Sequence, residues 1–487
     1  MGLFNIFKKN KKSEAEDELN RIEADLLPDE GIVGEVEHGG PSEEKSGDKE
    51  VRKYSFVMGV LDTAVVEGTE NLVVTGNIKG NVEPNMVISA INFGDDNKEV
   101  IMTTVSGIDV DDELREMATD CFAGLILEGA ANSGIKPGTV LYTRDVGNDS
   151  IHDAYVASLS EVYVKERELE LTDEEIDALS ITDCSEIWRL NTWYMTHEGK
   201  EEEETVKKVR IERLNKIVSS LCKKIINADE IYYVHDKGTG EAHLYSQTFD
   251  KGNGTYMCSL PNIMIISKAY RRHYKRLYNN DKTELAVVRN GSDKMGIYNF
   301  LAGNFYINGA CGVAVNAIQI SIAAGMLVKK PEYKDIPIEN IPVTNPDLVR
   351  WMLLIGQLDT LKKDNEEALV FRLYYRFMGI EMTKARLIIP MKHQSPQEGE
   401  SEGSENDGFG IATMKGKDKK DAVIMYTDWR RLRSEYGKDW DGMVHRIAGL
   451  VGKFDCAINP TRFPKAGMYV TEEMYKNMAQ MAKPDEK

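Results

Sequence analysis

The chain has 487 residues, of which 41% are hydrophobic and 29% are charged, and its formal net charge is −19. This length is too great for one ordinary domain and predicts roughly two to four of them. The surplus of acidic side chains repels phosphate backbones, which counts against broad nucleic-acid binding. The six cysteines are scattered without a CxxC pair, which indicates buried thiols in a reducing compartment. No run of about 18 apolar residues is present, so no membrane span is predicted.

Residues 1–50 are predicted to be a disordered leader, because most of this segment is acidic and rich in Gly, Ser and Glu. The first twelve residues, MGLFNIFKKNKK, combine four Leu, Ile and Phe side chains with four lysines. That combination is typical of a short amphipathic anchor at a membrane surface, whereas the simpler interpretation is a solvated chain end. We expect a cytoplasmic protein, with peripheral membrane contact by residues 1–12 as the alternative.

The sequence pattern of residues 51–145 predicts a small antiparallel β-barrel. Apolar and β-branched runs such as LVVTGNI and MVISAINFG recur at short intervals. Pro84–Asn85 and the GDDN stretch at residues 94–97 supply turns between them. Residues 53–143 carry five basic and fourteen acidic side chains, so the barrel is expected to be acidic.

Residues 146–229 are predicted to form a helical connector. Thr172 followed by Glu175 makes a capping box at the start of LTDEEIDAL. Apolar residues then recur at helical spacing between Val206 and Ile225. This stripe is too short for many heptads, so a packed helix is favoured over a coiled coil.

Residues 230–343 and 385–487 are predicted to be two copies of one mixed α/β unit. In each, a strand runs into a basic aromatic helix, as PNIMIISKAYRRHYK and as DAVIMYTDWRRLRSEYG. In each, a later apolar strand ends in an asparagine, Asn316 or Asn459. These asparagines are expected to terminate their strands, with a role in lining a shared pocket as the alternative. Two such copies differ from a solenoid, which needs a shorter period and more repeats.

Residues 344–384 are predicted to be linking helices between the two copies, the first with Asn345 as N-cap and Pro346 at its first position. A polar acidic stretch at residues 395–408 interrupts the second copy and is predicted to be a flexible loop. The predicted fold class is therefore multidomain α+β, with a small antiparallel β-barrel, a helical connector and two repeated mixed α/β units.

The two basic aromatic helices supply the candidate ligand or partner face, because interleaved arginine and aromatic side chains can clamp a phosphate, a carboxylate or an acidic protein surface. The alternative is a pair of amphipathic helices that bury their aromatic residues and solvate their arginines. The candidate residues are Tyr270, Arg271, Arg272 and Arg276 in the first helix and Trp429, Arg430 and Arg431 in the second.

Motifs for established chemistries are missing from the sequence. It has no phosphate loop of the G-x-x-x-x-G-K-[ST] type, no G-x-G-x-x-G, no H-E-x-x-H and no G-x-S-x-G. GTP hydrolysis is therefore not predicted, and no catalytic residue or cofactor is assigned. An enzyme of unknown class, with Cys258 or Cys311 as the nucleophile, is the remaining catalytic alternative.

Metal binding is also not predicted. His235 and His243 flank a hairpin-like turn, which raises the idea that they face each other, yet no further ligand accompanies them. The acidic cluster at residues 109–113 lacks the order of oxygen ligands found in a calcium loop. Solvated or hydrogen-bonded side chains are the favoured interpretation of both.

Residues 54–143 resemble the second, β-barrel domain of elongation factor Tu and other translational GTPases. The matching pieces, in order, are LVVTGNIKGNVEPNMVI, TTVSGI, DCFAGLILEG and GIKPGTVL. The resemblance implies a barrel that, in those factors, contacts ribosomal RNA or aminoacyl-tRNA. The GTPase domain that precedes the barrel in the family is not found in this sequence.

Residues 385–480, and more distantly residues 230–330, resemble the N-terminal domain of the enhanced-serine-sensitivity (SseB) family. The matching pieces are LIIPM, YTDWRRL, FDCAINP and YVTEEMYKNM. The resemblance implies a bacterial protein without an established enzymatic activity.

The function predicted from these features is a non-catalytic binding, scaffold or regulatory protein of bacterial type. Its expected partner is a protein or a small acidic ligand. The first alternative is a translation-associated factor that uses the barrel on the ribosome or on tRNA without a GTPase of its own.

Overall fold

The computed structural model describes residues 55–95, 99–165, 171–252, 256–316, 320–358, 366–393, 409–416 and 420–482. The predicted leader at residues 1–50, including residues 1–12, and the predicted acidic loop at residues 395–408 lie outside the described residues. The fold class is the predicted one, α+β with a closed antiparallel barrel and further mixed sheets. Contacts divide the chain into two compact units. Among the described residues, the first contains those up to Lys224 together with Ser267–Leu277, and the second contains Ile225–Ile266 and those from Tyr278 onward.

The first unit begins with a closed barrel of six antiparallel strands. These strands are β1 (Phe56–Val65), β2 (Leu72–Val82), β3 (Val87–Ile91), β4 (Val100–Val110), β7 (Phe122–Leu127) and β8 (Val140–Tyr142). They pair in the order β1-β8-β3-β4-β7-β2, and β2 pairs with β1 again to close the barrel. Two short strands, β5 (Glu113–Leu114) and β6 (Ala118–Thr119), pair with β4 and β2.

The barrel interior explains the alternating sequence pattern. Residues such as Val74, Leu125 and Leu127 are fully buried, while their neighbours along each strand face outward. Gly80 stands where the backbone has a φ of 84° and where a Cβ would overlap the carbonyl group of Ser55. Only glycine meets both conditions at this position.

Helices follow the barrel, as predicted for residues 146–229. They are α1 (Asn148–Ser160), α2 (Asp173–Ala178), α3 (Ile181–Thr196) and α4 (Glu204–Asn227). The predicted capping box at Thr172 is confirmed, since its hydroxyl accepts from Glu175 N and the Glu175 carboxylate accepts from Thr172 N. Ser180 and Asp183 form a second capping box at the start of α3. None of the helices in the described ranges is long and apolar enough to cross a membrane.

One further helix of the first unit, α5 (Arg271–Tyr278), comes from the first basic aromatic segment. The sequence placed this segment within residues 230–343, together with the strand before it. The structure separates the two: the strand lies in the second unit, whereas α5 packs in the first, where the Tyr270 hydroxyl bonds Glu186 of α3.

The second unit contains two mixed sheets. The first sheet has β9 (Glu230–Asp236), β10 (Glu241–Ala242), β11 (Leu244–Tyr245), β14 (Asn262–Ile266), β15 (Thr283–Arg289), β16 (Gly312–Val315) and β17 (Ile320–Ala323). A separate hairpin pairs β12 (Thr248–Asp250) with β13 (Tyr256–Cys258), and the helices here are α6 (Gly296–Tyr306) and α7 (Ala324–Leu327). Linking helices α8 (Pro346–Gln357) and α9 (Glu366–Lys384) follow.

The remaining strands form two smaller sheets that are joined by one bridge between Ile388 and Tyr426. They are β18 (Leu387–His393), β19 (Phe409–Ile411), β20 (Thr413–Lys415), β21 (Asp421–Met425), β22 (Asp441–His445), β23 (Asp455–Ile458) and β24 (Met468–Val470), with helices α10 (Trp429–Glu435) and α11 (Glu472–Met481). We treat these strands together as the second α/β region.

The two α/β regions share their strand order. In the first, β10-β9-β14-β16-β17 runs across the sheet, with β15 on β9 and β11 on β14. In the second, β19-β18 and β21-β23-β24 follow the same order, with β22 on β18 and β20 on β21. The central pair is parallel in both regions.

The strand-ending asparagines occupy equivalent positions in the two regions. Asn316 and Asn459 have positive φ angles of 46° and 48°, and both are buried. Asn316 N donates to Ile265 O and Asn459 N donates to Met425 O, each across the central parallel pair. Asparagine tolerates this left-handed conformation better than most residues, so these residues end their strands, as the sequence predicted.

Asn345 precedes α8 as predicted, but its side chain does not cap that helix. Instead, Asn345 Nδ2 donates to the carbonyl groups of Arg386 (2.8 Å) and Thr427 (2.7 Å), and Asn345 Oδ1 accepts from Arg386 N. The side chain therefore ties the start of α8 to the second α/β region.

Candidate functional site

A buried arginine at the start of α10 organises a polar cluster in the second unit. Asp428 is the N-cap of this helix, and its carboxylate accepts from Arg431 N at 2.9 Å and from Arg431 Nη1 at 2.6 Å. Arg431 is 6% exposed. Its Nη2 donates to Glu241 Oε1 at 2.9 Å and to Asn308 Oδ1 at 2.8 Å. An arginine this deeply buried requires such partners, because unpaired buried charge is very costly.

Glu241 and Asn308 reach this cluster from the first α/β region. Glu241 lies on β10, and Asn308 follows α6 and is fully buried. Asn308 Nδ2 donates to Glu241 Oε2 at 2.9 Å and to Asn304 Oδ1 at 3.2 Å. The amide thus bonds the carboxylate and both arginines at once, which holds the group in one arrangement.

Arg430 uses only part of its guanidinium group in this cluster. Its Nη2 donates to Glu241 Oε1 at 2.5 Å and to Asn308 Oδ1 at 2.8 Å, and 43% of the side chain is exposed. Its Nη1 lies beside Gly303 of α6, where an added Cβ would be 3.8 Å away. Within the described parts of the chain, no hydrogen-bond acceptor is paired with this Nη1.

The Arg430 side chain lines a pocket of about 640 Å³. Aromatic rings form much of its wall, and the centroids of Tyr233 and Phe300 are 4.6 Å apart. The Tyr306 hydroxyl donates to Val328 O at 2.6 Å, so this ring is fixed as well. The other lining residues include His235, Glu241, Asn299, Gly303, Asn304, Lys330, Pro331, Tyr333, Pro342 and Thr344.

Acidic side chains influence the pKa of Tyr233, which forms part of the pocket wall. Burial, followed by the charges of Glu241 and Glu284, raises the pKa of the Tyr233 phenol, which therefore stays neutral at ordinary pH. Glu284 is exposed and lies opposite His235 in the β15–β9 pair. The pocket lining therefore contains the cationic Arg430 and Lys330, while the carboxylates of Glu241 and Glu284 act on its Tyr233 side.

The structure separates the predicted face residues by role. Arg430 lines the pocket, Arg431 is buried in the polar cluster, and Trp429 packs against the apolar core of the second α/β region with Arg433 over its ring. In the first unit, Arg271 is half-buried, whereas Arg272 and Arg276 are exposed.

Tyr270 does not belong to an exposed face. It is 2% exposed, and its hydroxyl donates to Glu186 Oε1 at 2.9 Å. Burial, followed by the charge of Glu186, raises the pKa of Tyr270 well above its ordinary value. Its ring also contacts Phe93 and Tyr274 edge-on. The sequence misassigned Tyr270 because one helical pattern serves either a ligand face or a core.

Sequence reasoning missed Glu241, Asn308, Gly303 and the aromatic wall. They come from segments far apart in the chain, so no local pattern joins them. One available signal was the spacing of Asp428 and Arg431, since an acidic N-cap three residues before an arginine can bond it back. That signal indicates that Arg431 is held in place by Asp428. The adjacent Arg430 is then the more exposed of the two arginines.

The two histidines of the β9–β10 hairpin do not face each other. His235 pairs with Ala242, while His243 N donates to Val234 O. Side chains alternate across a strand, so the two imidazoles lie on opposite faces. His235 lines the pocket, and His243 Nδ1 is 3.7 Å from Asp236 Oδ2.

The cysteine alternative finds no support in the surroundings of the thiols. Burial raises the pKa of both Cys258 and Cys311, which lowers their thiolate content. A nucleophilic cysteine needs the opposite shift. The described residues also contain no group of three or more His, Cys, Asp and Glu side chains placed to hold a metal ion.

The fold and the pocket together define a multidomain α+β protein with a closed antiparallel barrel and a ring-lined pocket in its second unit. No family model matches the chain, and no curated protein matches it. The similarity to the SseB family therefore stays a prediction.

Among solved structures, the chain is similar to translation elongation factor SelB from Methanococcus maripaludis. This holds for the apo form and for the complex with the GTP analogue GppNHp, each at 22% identity and a TM-score of 0.17. The match covers 19% of this chain and 20% of the SelB chain, so it spans about a fifth of that factor. The closed barrel is established by its strand pairing.

Proposed function

We propose that the protein is a non-catalytic binding protein that takes a small acidic ligand in the pocket beside Arg430. The observation that carries this proposal is that the two Nη atoms of Arg430 have different surroundings. Its Nη2 is held by Glu241 and Asn308, while its Nη1 lies beside Gly303 in the pocket wall. A fixed arginine with donors directed toward a pocket is a means of binding an oxyanion.

The pocket has the character of a ligand site. Its volume of about 640 Å³ lies within the range of roughly 300–1,000 Å³ that is usual for such sites. Its wall is mainly aromatic and apolar, and only a few polar groups converge on it. Sites of this composition obtain affinity from the apolar wall and orientation from the polar groups.

The arginine is also preorganised. Glu241 and Asn308 hold Arg430 in place, and Arg431 shares the Glu241 carboxylate with it. Ligand binding therefore loses little side-chain entropy at Arg430. Glu241 and Asp428 together balance the charges of Arg430 and Arg431.

We also infer that the two α/β regions are copies of one unit and that they belong with the SseB-like domains. Their common strand order, their parallel central pairs and their left-handed asparagines support this interpretation. In a scaffold or regulatory protein of this kind, a small ligand would stabilise the contact between the copies, because Arg430 comes from one region and Glu241 from the other.

A ligand panel tests the proposed function. Small carboxylates and phosphates, added one at a time to the full chain, are expected to raise its melting temperature where they bind. Gly303→Leu places a side chain in the pocket beside Arg430 and is expected to abolish the shift. Gly452→Leu is the matched control, since nothing lies within 4 Å of a Cβ there.

Two results would contradict the proposed function. One is the lack of any shift in the wild-type chain at millimolar ligand. The other is an equal shift in the wild-type chain and in Gly303→Leu, which would place the ligand outside the pocket.

A further inference from the structure

We infer that the ligand is a singly charged carboxylate on a flat apolar ring, and that the pocket discriminates against dianionic phosphates. This inference rests on the function proposed above and specifies the chemical class of its ligand. It is carried by the donors that Arg430 leaves for a ligand, by the carboxylates around the pocket and by the shape of the aromatic wall.

The donor set is small. Both hydrogens of Arg430 Nη2 are used by Glu241 Oε1 and Asn308 Oδ1, so Nη1 supplies the donors on the pocket side. Lys330 is the other cationic residue with a permanent charge in the lining, and it is exposed at the rim. The two hydrogens of Arg430 Nη1 and the Lys330 ammonium can bond both oxygens of a carboxylate.

The surrounding charges oppose a second negative charge. Glu241 lines the pocket, and Glu284 stands opposite His235 on the neighbouring strand. Both carboxylates act on Tyr233, where they help to raise the pKa of the phenol. Each additional ligand charge about 8 Å from such a carboxylate in a water-like surrounding lowers affinity about twofold to threefold. A monoanion therefore loses less than a dianion does.

The wall favours a flat ring. Tyr233 and Phe300 stand with their ring planes inclined at 46° and their centroids 4.6 Å apart, and Tyr306 is anchored by its hydroxyl. Pro331 and Pro342 add apolar surface without hydrogen-bond donors. A ring between these groups can make offset or edge-on contacts with the aromatic side chains. A small acid without a ring would leave this wall in contact with water.

Calorimetric titration of the full chain with three matched probes tests the inference. The probes are naphthylacetate, naphthyl phosphate and naphthylacetamide, which share the ring and differ in charge. We expect naphthylacetate to bind about tenfold more tightly than either of the others, and acetate, which lacks the ring, to show no measurable binding. Arg430→Gln should remove the preference for naphthylacetate over naphthylacetamide.

Glu284→Gln is the variant that reports on the charge argument. Glu284 is exposed, and within the described parts of the chain no hydrogen bond or ion pair joins it to the Arg430 cluster, so the variant should fold normally. It should raise the affinity for naphthyl phosphate about twofold to threefold and that for naphthylacetate by a smaller factor. Glu435→Gln, at an exposed acidic residue outside the lining, is the matched control and should change neither.

The outcomes separate the inference from the proposed function. Naphthyl phosphate binding as tightly as naphthylacetate, with both lost in Gly303→Leu, would overturn the carboxylate inference and leave the proposed function standing. Equal affinity for naphthylacetamide and naphthylacetate would overturn the acidic character of the ligand, and therefore both. Lack of binding by all three probes would overturn the inference about the ring, and the panel of small carboxylates and phosphates would then decide the proposed function.

Discussion

Helices α5 and α10 look alike in the sequence and do different things in the structure. Each follows an apolar strand and combines arginine with aromatic residues. In α5 and the turn before it, Tyr270 and Tyr274 are buried, whereas Arg272 and Arg276 are exposed. In α10, the arginine Arg431 is buried and its neighbour Arg430 lines a pocket. The two helices differ in what their buried acids bond: Asp428 bonds Arg431 at the start of α10, whereas Glu186 bonds the Tyr270 hydroxyl before α5.

The N-cap residues make this difference concrete. Asp428 caps α10 and bonds Arg431 back into the protein. Ser267, the N-cap of the 3-10 turn Lys268–Tyr270 that precedes α5, has a hydroxyl that hydrogen-bonds the Thr182 hydroxyl at 2.9 Å.

The largest expected effect comes from removing the buried arginine. Arg431→Met leaves Asp428 without its buried cationic partner and should lower the free energy of unfolding by about 3–5 kcal/mol. Arg272→Met, at an exposed arginine of α5, should change it by less than about 0.5 kcal/mol. Urea denaturation measures both. Similar effects of the two substitutions would show that α5 and α10 do not differ in the way described.

A somewhat smaller effect is expected at the end of β23. Asn459 Oδ1 accepts from Thr427 N at 3.0 Å, and the backbone is left-handed with a φ of 48°. Asn459→Ala loses this buried bond and strains the backbone, and should cost about 2–4 kcal/mol. Asn459→Gly removes the bond but accepts the conformation, so thermal or urea unfolding should place it between the wild type and the alanine variant. An alanine variant as stable as the glycine variant would argue against the strain.

The buried tyrosine before α5 provides the next test. Tyr270→Phe deletes the hydroxyl that bonds Glu186, a carboxylate that is 1% exposed. The expected loss in the free energy of unfolding is about 1–3 kcal/mol, because Glu186 retains its bond from Arg189. Unchanged stability would indicate that Tyr270 is not held as described and would reopen its assignment to a surface.

The last expected effect concerns thiol reactivity, and not stability, in the two α/β regions. Burial, followed by the charge of Asp455, raises the pKa of Cys456 from 9.0 to about 11, which reduces its thiolate about a hundredfold below that pH. Cys258 and Cys311 have raised pKa values as well. At pH 8, iodoacetamide should therefore modify all three cysteines more slowly than it modifies free cysteine. The reduction in rate should be largest for Cys456. Rapid labelling of Cys258 or Cys311 would revive the enzyme alternative.

Local sequence signals predicted the elements well and the site only in part. The barrel strands were readable because alternate residues such as Val74 and Leu125 must be apolar to fill the interior. The capping box at Thr172 and the strand-ending Asn459 were readable because each depends on one or two adjacent residues. The pocket was not readable, because Glu241 and Arg430 meet only after two sheets have formed.

The central claim is that the pocket beside Arg430 binds a small acidic ligand. The most direct measurement is a crystal structure of the wild-type chain soaked with naphthylacetate. We expect density for the ring against Tyr233 and Phe300, with a carboxylate oxygen within hydrogen-bond distance of Arg430 Nη1. An empty pocket at saturating ligand, or a carboxylate bound away from Arg430, would contradict it.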